Sequence, residues 1–357
     1  MRGITVVAII VMLAFTSISD VTRPWHLDAP RTVAKCLNDI GISPGSFDAE
    51  SGDDLHRDLA ESRNVGATRL RFDIDWSSIE AVRGVYDWSH VDDVVKAIVD
   101  AQLTPLAVLS YTPDWARVPG ATDSHGAPAD PRQFAKFAAD AVERYGSIIQ
   151  TWEIWNEPNI DMFWSPTPNA KAYVDLVRAT SAAIRDKQPN ATILVGALSS
   201  GADANYGEID PETFVSEMYA AGASGTFDAL SVHPYTFPAL PTDPDPDGTN
   251  TFRKLPRLHA IMASNGDGEK NIWITEFGAP TGTDPSAVTQ VGQAENLSTG
   301  ILAARSLGYV PVIFIYSIRD SGTDARDLYQ NFGLLTHSFA RKRAFQEVKI
   351  LTASTDC

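Results

Sequence analysis

The chain has 357 residues, 44% hydrophobic and 21% charged, an ordinary globular composition with enough length for one large core or two smaller ones. A formal net charge of −16 argues against nucleic acid or an anionic membrane surface as the main partner. Only two cysteines occur, Cys36 and Cys357, and without histidines at metal spacing they cannot build a zinc site.

Residues 1–19 read as a targeting segment. Arg2 supplies the positive start, Ile4 to Phe15 an apolar run, and Ser17 and Ser19 the small residues that a signal peptidase needs. The run is short of the ~20 apolar residues of a membrane-spanning helix. Cleavage and retention as an anchor both stay open, and in either case the expectation is a secreted or envelope-anchored protein. Disulfides persist in that compartment. Closing the fold described below would bring the termini together, so a Cys36–Cys357 bridge is the expectation, against two free thiols.

Residues 20–32 contain Pro24 and Pro30 and read as an extended lead-in to a domain spanning 33–357. Val33 to Ile42 reads as a strand, and Asp53 to Asn64 as an amphipathic helix ended by Gly66. A strand follows at Thr68–Trp76, then helix from about Ser89 to Ala101, strand at Leu103–Leu109, helix at Pro131–Tyr145 and strand at Gln150–Trp155. The second half keeps the rhythm. Helices are expected at Asn169–Lys187, Pro211–Ala221, Phe252–Ser264, Ala287–Arg305 and Ser338–Leu351. They alternate with strands at Thr192–Ala197, Ala229–His233, Asn271–Gly278 and Pro311–Tyr316. Eight strands alternating with eight helices imply a parallel sheet that closes as a single-domain (β/α)8 barrel. Two long loops, Arg117 to Asp130 and Phe237 to Thr249, follow strands and so belong on the carboxyl-end face. The second holds Asp243, Asp245 and Asp247 at the spacing of a calcium loop. Lys254 stands where the bidentate glutamate is needed, so a solvated acidic loop is the better reading.

Thr151-Trp152-Glu153-Ile154-Trp155-Asn156-Glu157-Pro158 is a short buried strand that ends on an amide, a carboxylate and a proline. A second strand, Asn271 to Gly278, ends on Glu276. This ordered pair resembles the clan A glycoside hydrolases, retaining enzymes on a (β/α)8 barrel. Thr112 to Ala116, Gly84 to Trp88 and Asn331 to Leu335 extend the likeness over nearly the whole chain, toward family 39-like and family 5-like members. The resemblance implies that Glu157 is the general acid/base and Glu276 the nucleophile, on a polysaccharide or oligosaccharide substrate, with no cofactor, metal or protein partner. Such chemistry needs one carboxyl group that holds a proton and one that stays ionised. Trp152 and Trp155 would wall Glu157, and Arg71 would keep Glu276 charged.

The same resemblance assigns Asn156 to the sugar 2-hydroxyl, Tyr235 to orienting the nucleophile, and His233 to the acid/base network. Each has a plainer reading: Asn156 as a turn residue, His233 as structural, and Arg71 as facing solvent or pairing locally with Asp73 or Asp75. Aromatic residues after strands, Trp76, Tyr111, Trp115, Trp164 and Tyr316, offer flat platforms for sugar rings, and any one of them is as readily core. Many clan members carry a tryptophan on the eighth strand, where this chain has Tyr316. A transglycosylase would use the same site. An inactive carbohydrate-binding barrel would have no need of both glutamates. No Gly-x-Ser-x-Gly elbow points to an α/β-hydrolase.

Overall fold

Most strands are short runs of branched and aromatic residues buried on both faces, while Arg69–Asp75 alternates charged and apolar residues. The computed structural model describes residues 39–45, 52–201, 205, 207–246 and 248–354. Its strands are β1 (Asp39–Ser43), β2 (Arg69–Asp75), β3 (Thr104–Ser110), β4 (Thr151–Ile154), β5 (Thr192–Ser199), β6 (Ala229–His233), β7 (Asn271–Phe277) and β8 (Val312–Tyr316). They close in chain order into a parallel barrel, with β1 alongside β8 from Asp39↔Val312 to Ser43↔Tyr316. The predicted (β/α)8 barrel is therefore the fold. The helices are α1 (Gly52–Asn64), α2 (Trp76–Ile79), α3 (Ser89–Asp100), α4 (Pro131–Tyr145), α5 (Ala170–Lys187), α6 (Pro211–Ala220), α7 (Leu255–Ser264), α8 (Gln290–Ser306) and α9 (Arg343–Ala353). No helix among the described residues is long and apolar enough to cross a membrane.

Alternation sorts the side chains of each strand between two faces. Outward residues such as Ile42, Leu70, Ile74, Trp152, Ile154, Ile272 and Ile315 pack in one continuous core with the helices. Inside the barrel a separate apolar cluster of Leu106, Val108, Leu194, Ala229, Trp273, Val312 and Phe314 fills the space. A side chain at Gly41 would meet the Phe314 ring at 2.3 Å, so glycine is what lets that ring occupy the interior. Toward the strands' carboxyl ends the buried inner residues turn polar: Ser43, Arg71, Glu153, Ser231, His233 and Thr275. This change of character within one barrel marks the functional end.

Helix starts follow local chemistry. Asp130, Asn169, Asp210 and Thr289 each accept a backbone N–H of the first turn. The helix expected over Phe252–Ser264 is divided: a 3-10 turn at Thr251–Lys254 precedes α7, whose first turn holds Pro256. The last helix begins at Arg343 rather than Ser338. Phe339 sits at φ +67°, and Ala340 returns to Thr336 through backbone and hydroxyl bonds, so Ser338 to Lys342 forms a turn. The leader, the lead-in, Cys36, Cys357 and Asp247 lie outside the described residues. Asp243 and Asp245 serve their own loop, accepting from the backbone N–H groups of Leu240 and Asn250, while Lys254 pairs with Asp210.

Candidate active site

β4 ends in strained backbone. Trp155 and Glu157 both adopt left-handed φ, +71° and +45°, a conformation that non-glycine residues rarely enter. Neighbouring groups hold it. Glu157 N–H donates to the Ala197 carbonyl at 3.2 Å, and Trp155 Nε1 donates to the Phe163 carbonyl at 2.6 Å. Ala197 stands in a register shift of β5, next to Gly196 at φ +106°. A side chain at Gly196 would come within 2.7 Å of the Ser231 carbonyl. Gly196 N–H reaches the Tyr173 hydroxyl and Ala197 N–H the Ser231 hydroxyl, so the irregular stretch is satisfied on both sides. The result is that Glu157, buried to 8% exposure, points into the barrel mouth.

Glu276 comes from the end of β7. Arg71 Nη1 donates to its Oε1 at 2.6 Å, and the Tyr235 hydroxyl donates to Oε2 at 2.8 Å. Burial pushes the Glu276 carboxyl up, but His233, Arg71 and Tyr235 together outweigh it and hold the group below the usual glutamate range. His233 Nδ1 lies 2.8 Å from Glu157 Oε1 and 3.6 Å from Glu276 Oε2. Those two carboxylate oxygens are therefore no farther apart than about 6.4 Å, the sum of the two distances.

Arg71 is the hub. Its Nε donates to Glu153 at 2.6 Å and its Nη2 to Asn156 Oδ1 at 2.7 Å. Burial would lower its affinity for a proton, but Glu153, Glu276 and Asp73 raise it above the ordinary value. It faces the interior, not helix-side solvent. Asp75 instead caps α2, accepting from Ser77 and Ser78. Arg69 also faces inward but sits lower, paired with Asp39 at 2.8 Å beside the Trp273 ring. Because a guanidinium only donates, Asn156 must turn its oxygen to Arg71, which leaves its amide N–H groups for the open side.

Among the proposed platforms, two are corrected. Trp76 and Trp164 are 1% and 2% exposed, in the core. Trp76 stacks on Phe137 at 5.8 Å and donates Nε1 to Glu80; Trp164 packs edge-on to Trp155 at 5.1 Å. Trp152 also points away from Glu157, donating to Gln188 beyond α5, because its strand neighbour Glu153 takes the inward face. Tyr111, Trp115 and Tyr316 are half-buried, but Trp115 packs edge-on to Trp76 at 5.4 Å and donates Nε1 to the Glu80 carbonyl, with no contact to the two glutamates. Tyr111 meets His125 at 4.5 Å and Phe163 at 6.4 Å, and Tyr316 meets Tyr235 and Phe332 edge-on. The Arg117–Asp130 loop brings His125 there by bonding to Ser165 in the loop after β4.

Glu153, Thr275, Ser43, His125 and Phe163 also stand in or beside the site, unmarked by the motifs. Glu153 had a signal, a charge inside a strand buried at every position. Thr275 had none that separates it from any strand threonine.

Residues 59–237 match the model of glycosyl hydrolases family 39. A β-xylosidase from Geobacillus stearothermophilus is 25% identical over 130 residues, 33% of this chain and 26% of that protein. A family 39 glycoside hydrolase from the gut symbiont Bacteroides cellulosilyticus shares the fold, with a TM-score of 0.71 at 24% identity over 90% of this chain and 64% of that one. A monomeric β-xylosidase from Caulobacter crescentus gives 0.66 at 18% identity over 88% and 68%. The chain thus spans about a quarter of the Geobacillus protein and just under two thirds of the Bacteroides structure.

The ion-pair hub makes a stability prediction. Replacing Arg71 with Met leaves Glu153 charged and buried, and should cost about 3–5 kcal/mol in urea denaturation. The double variant Arg71→Met/Glu153→Met should recover a large part of that loss, whereas independent sites would give additive losses.

Proposed function

The chain belongs to glycosyl hydrolases family 39, within clan A, and on that premise we propose that it is a retaining hydrolase of O-glycosidic bonds in a polysaccharide or glycoconjugate. One observation carries the mechanism. Two strand-end carboxylates approach the same imidazole nitrogen, and only one of them is clamped by a guanidinium and a phenol. Retaining pairs stand about 5–5.5 Å apart and inverting pairs about 6.5–9.5 Å, so the upper bound on the Glu157–Glu276 oxygens favours retention.

The roles follow from the surroundings. Glu276, ionised by Arg71 and Tyr235, attacks the anomeric carbon. Glu157 gives its proton to the departing oxygen as the glycosidic bond breaks and the ester to Glu276 forms. Water then attacks the same carbon and yields its proton to Glu157, the ester breaks, and both carboxyl groups return to their starting states. Asn156, its oxygen held by Arg71, offers N–H groups to a sugar hydroxyl near the reacting carbon. Tyr111 and Tyr316 supply half-buried aromatic faces beside the two glutamates. The protein acts outside the cytoplasm on this reading, supported by the charge and apolar pattern of residues 1–19.

Purified chain incubated with xylosides, other aryl glycosides and a panel of polysaccharides should release sugar. Two of the similar proteins are β-xylosidases, so xylosides head the panel. Glu276→Gln should lose at least about 10³-fold in kcat/KM, and Glu157→Gln a comparable amount on substrates with poor leaving groups. Undiminished turnover in Glu276→Gln would overturn the assignment. The acid limb of the wild-type pH profile should lie below the usual glutamate value of about 4.3. Tyr235→Phe removes a donor to the carboxylate, so the charged form loses support and that limb should move to higher pH. An unmoved limb would detach Tyr235 from the nucleophile's ionisation.

A further inference from the structure

Thr275 stands between two groups that each lay claim to one hydroxyl. Its Oγ1 lies 3.0 Å from Glu153 Oε1 and 3.1 Å from His233 Nε2. Glu153 already receives Arg71 Nε–H on its other oxygen at 2.6 Å. A carboxylate paired with a guanidinium has only lone pairs to offer, so the single Thr275 proton goes to Glu153. The hydroxyl oxygen then presents lone pairs to His233, and Nε2 must carry a proton. His233 Nδ1 is left facing Glu157 Oε1 at 2.8 Å, too short for two bare acceptors. One proton therefore occupies that contact, on the carboxyl group or on an imidazolium.

We propose that Glu153 and Thr275 are positioning residues that hold His233 in its Nε2–H form, so that Nδ1 faces Glu157 and the pair keeps one proton for the leaving group. The proposal rests on Glu157 being the acid/base. In the opposite tautomer Nδ1–H would donate to Glu157 and favour the bare carboxylate, which has nothing to give. Arg71 on β2 anchors the start of the chain and β4, β7 and β6 carry Glu153, Thr275 and His233 in turn. All four contacts are interior, and Glu153, Thr275 and His233 are each fully buried.

Other groups around the pair are accounted for. Glu276 from β7 is held ionised, and Arg71 from β2 and Glu153 from β4 are paired with each other. Tyr235 after β6, Tyr111 after β3 and Tyr316 on β8 are pushed up, first by burial and then by neighbouring carboxylates. All three phenols are held above the ordinary tyrosine value, so the alkaline limb is read as loss of the proton shared by Glu157 and His233.

The test compares pH profiles of kcat/KM for Thr275→Val, Thr275→Ser and Glu153→Gln on a substrate with a poor leaving group and on an activated aryl glycoside. In Glu153→Gln, Arg71 takes the amide oxygen, the amide N–H turns to Thr275, and the hydroxyl must then donate to Nε2. Thr275→Val removes the acceptor altogether. Both should move the alkaline limb of the poor-leaving-group profile down by about one pH unit or more, while the activated substrate loses little there. Thr275→Ser should keep the wild-type limb. A merely structural role would lower both substrates at every pH without moving the limb, and that result in Thr275→Val would overturn the proposal. Imidazole 15N NMR of the wild type, with His233 assigned by through-bond correlation to its own backbone, tests it without relying on a variant's folding. Nε2 should be protonated, and a bare Nε2 would overturn it. Failure of the hydrolase reading looks different: no sugar released by wild type, or full poor-leaving-group activity in Glu157→Gln.

Discussion

A guanidinium buried inside the barrel dictates much of what surrounds it. A charge removed from water is tolerated only where opposite charge and hydrogen-bond acceptors meet it, and Arg71 draws these from three other strands. Glu153 and Asn156 come from β4 and the residues after it, Glu276 from β7 and Ser43 from β1. The arginine thus ties the two carboxylate-bearing strands to one point. Each contact also has a chemical consequence. Glu276 is held as an anion, Asn156 is turned with its donors outward, and Glu153 is fixed as a pure acceptor. Asymmetry between Glu157 and Glu276 follows from which of them touches this cation.

The backbone supplies the complementary constraint. Glu157 reaches the mouth through a left-handed turn, and the irregular stretch of β5 meets it with the Ala197 carbonyl. Strain on one strand is matched by a bulge on the next, and the hydroxyls of Tyr173 and Ser231 satisfy the N–H groups that the bulge frees. Below this layer the barrel is filled by apolar side chains, Phe314 over Gly41 among them, so the polar layer rests on a rigid floor.

Much of this was readable in the sequence because burial and chain order leave marks. A strand buried on both faces shows as an apolar run, β2 shows instead by its alternation, and all eight strands were legible. The two glutamates stand at strand ends before turns, where a barrel exposes its chemistry. What could not be read depends on direction and register. Trp76 follows a strand as Tyr111 does, yet one is core and the other lines the mouth, because a position after a strand does not say where the ring turns. Glu153 and Thr275 meet only because β4 and β7 face each other across the barrel, 122 residues apart in the chain. The start of α9 was missed since nothing in Phe339 itself announces a left-handed φ. His125 reaches Tyr111 through a loop anchored on Ser165, a contact between segments that carry no shared pattern.

The central claim is that Glu276 is the nucleophile of a retaining reaction, and covalent trapping addresses it most directly. An activated 2-deoxy-2-fluoro glycoside of whichever sugar the chain releases slows both steps, but entry less than exit, so the glycosyl-enzyme accumulates. Peptide mapping by mass spectrometry should find one sugar on the peptide containing Glu276. A sugar attached to Glu157 or elsewhere, or turnover to product of inverted configuration with no adduct, would contradict the account.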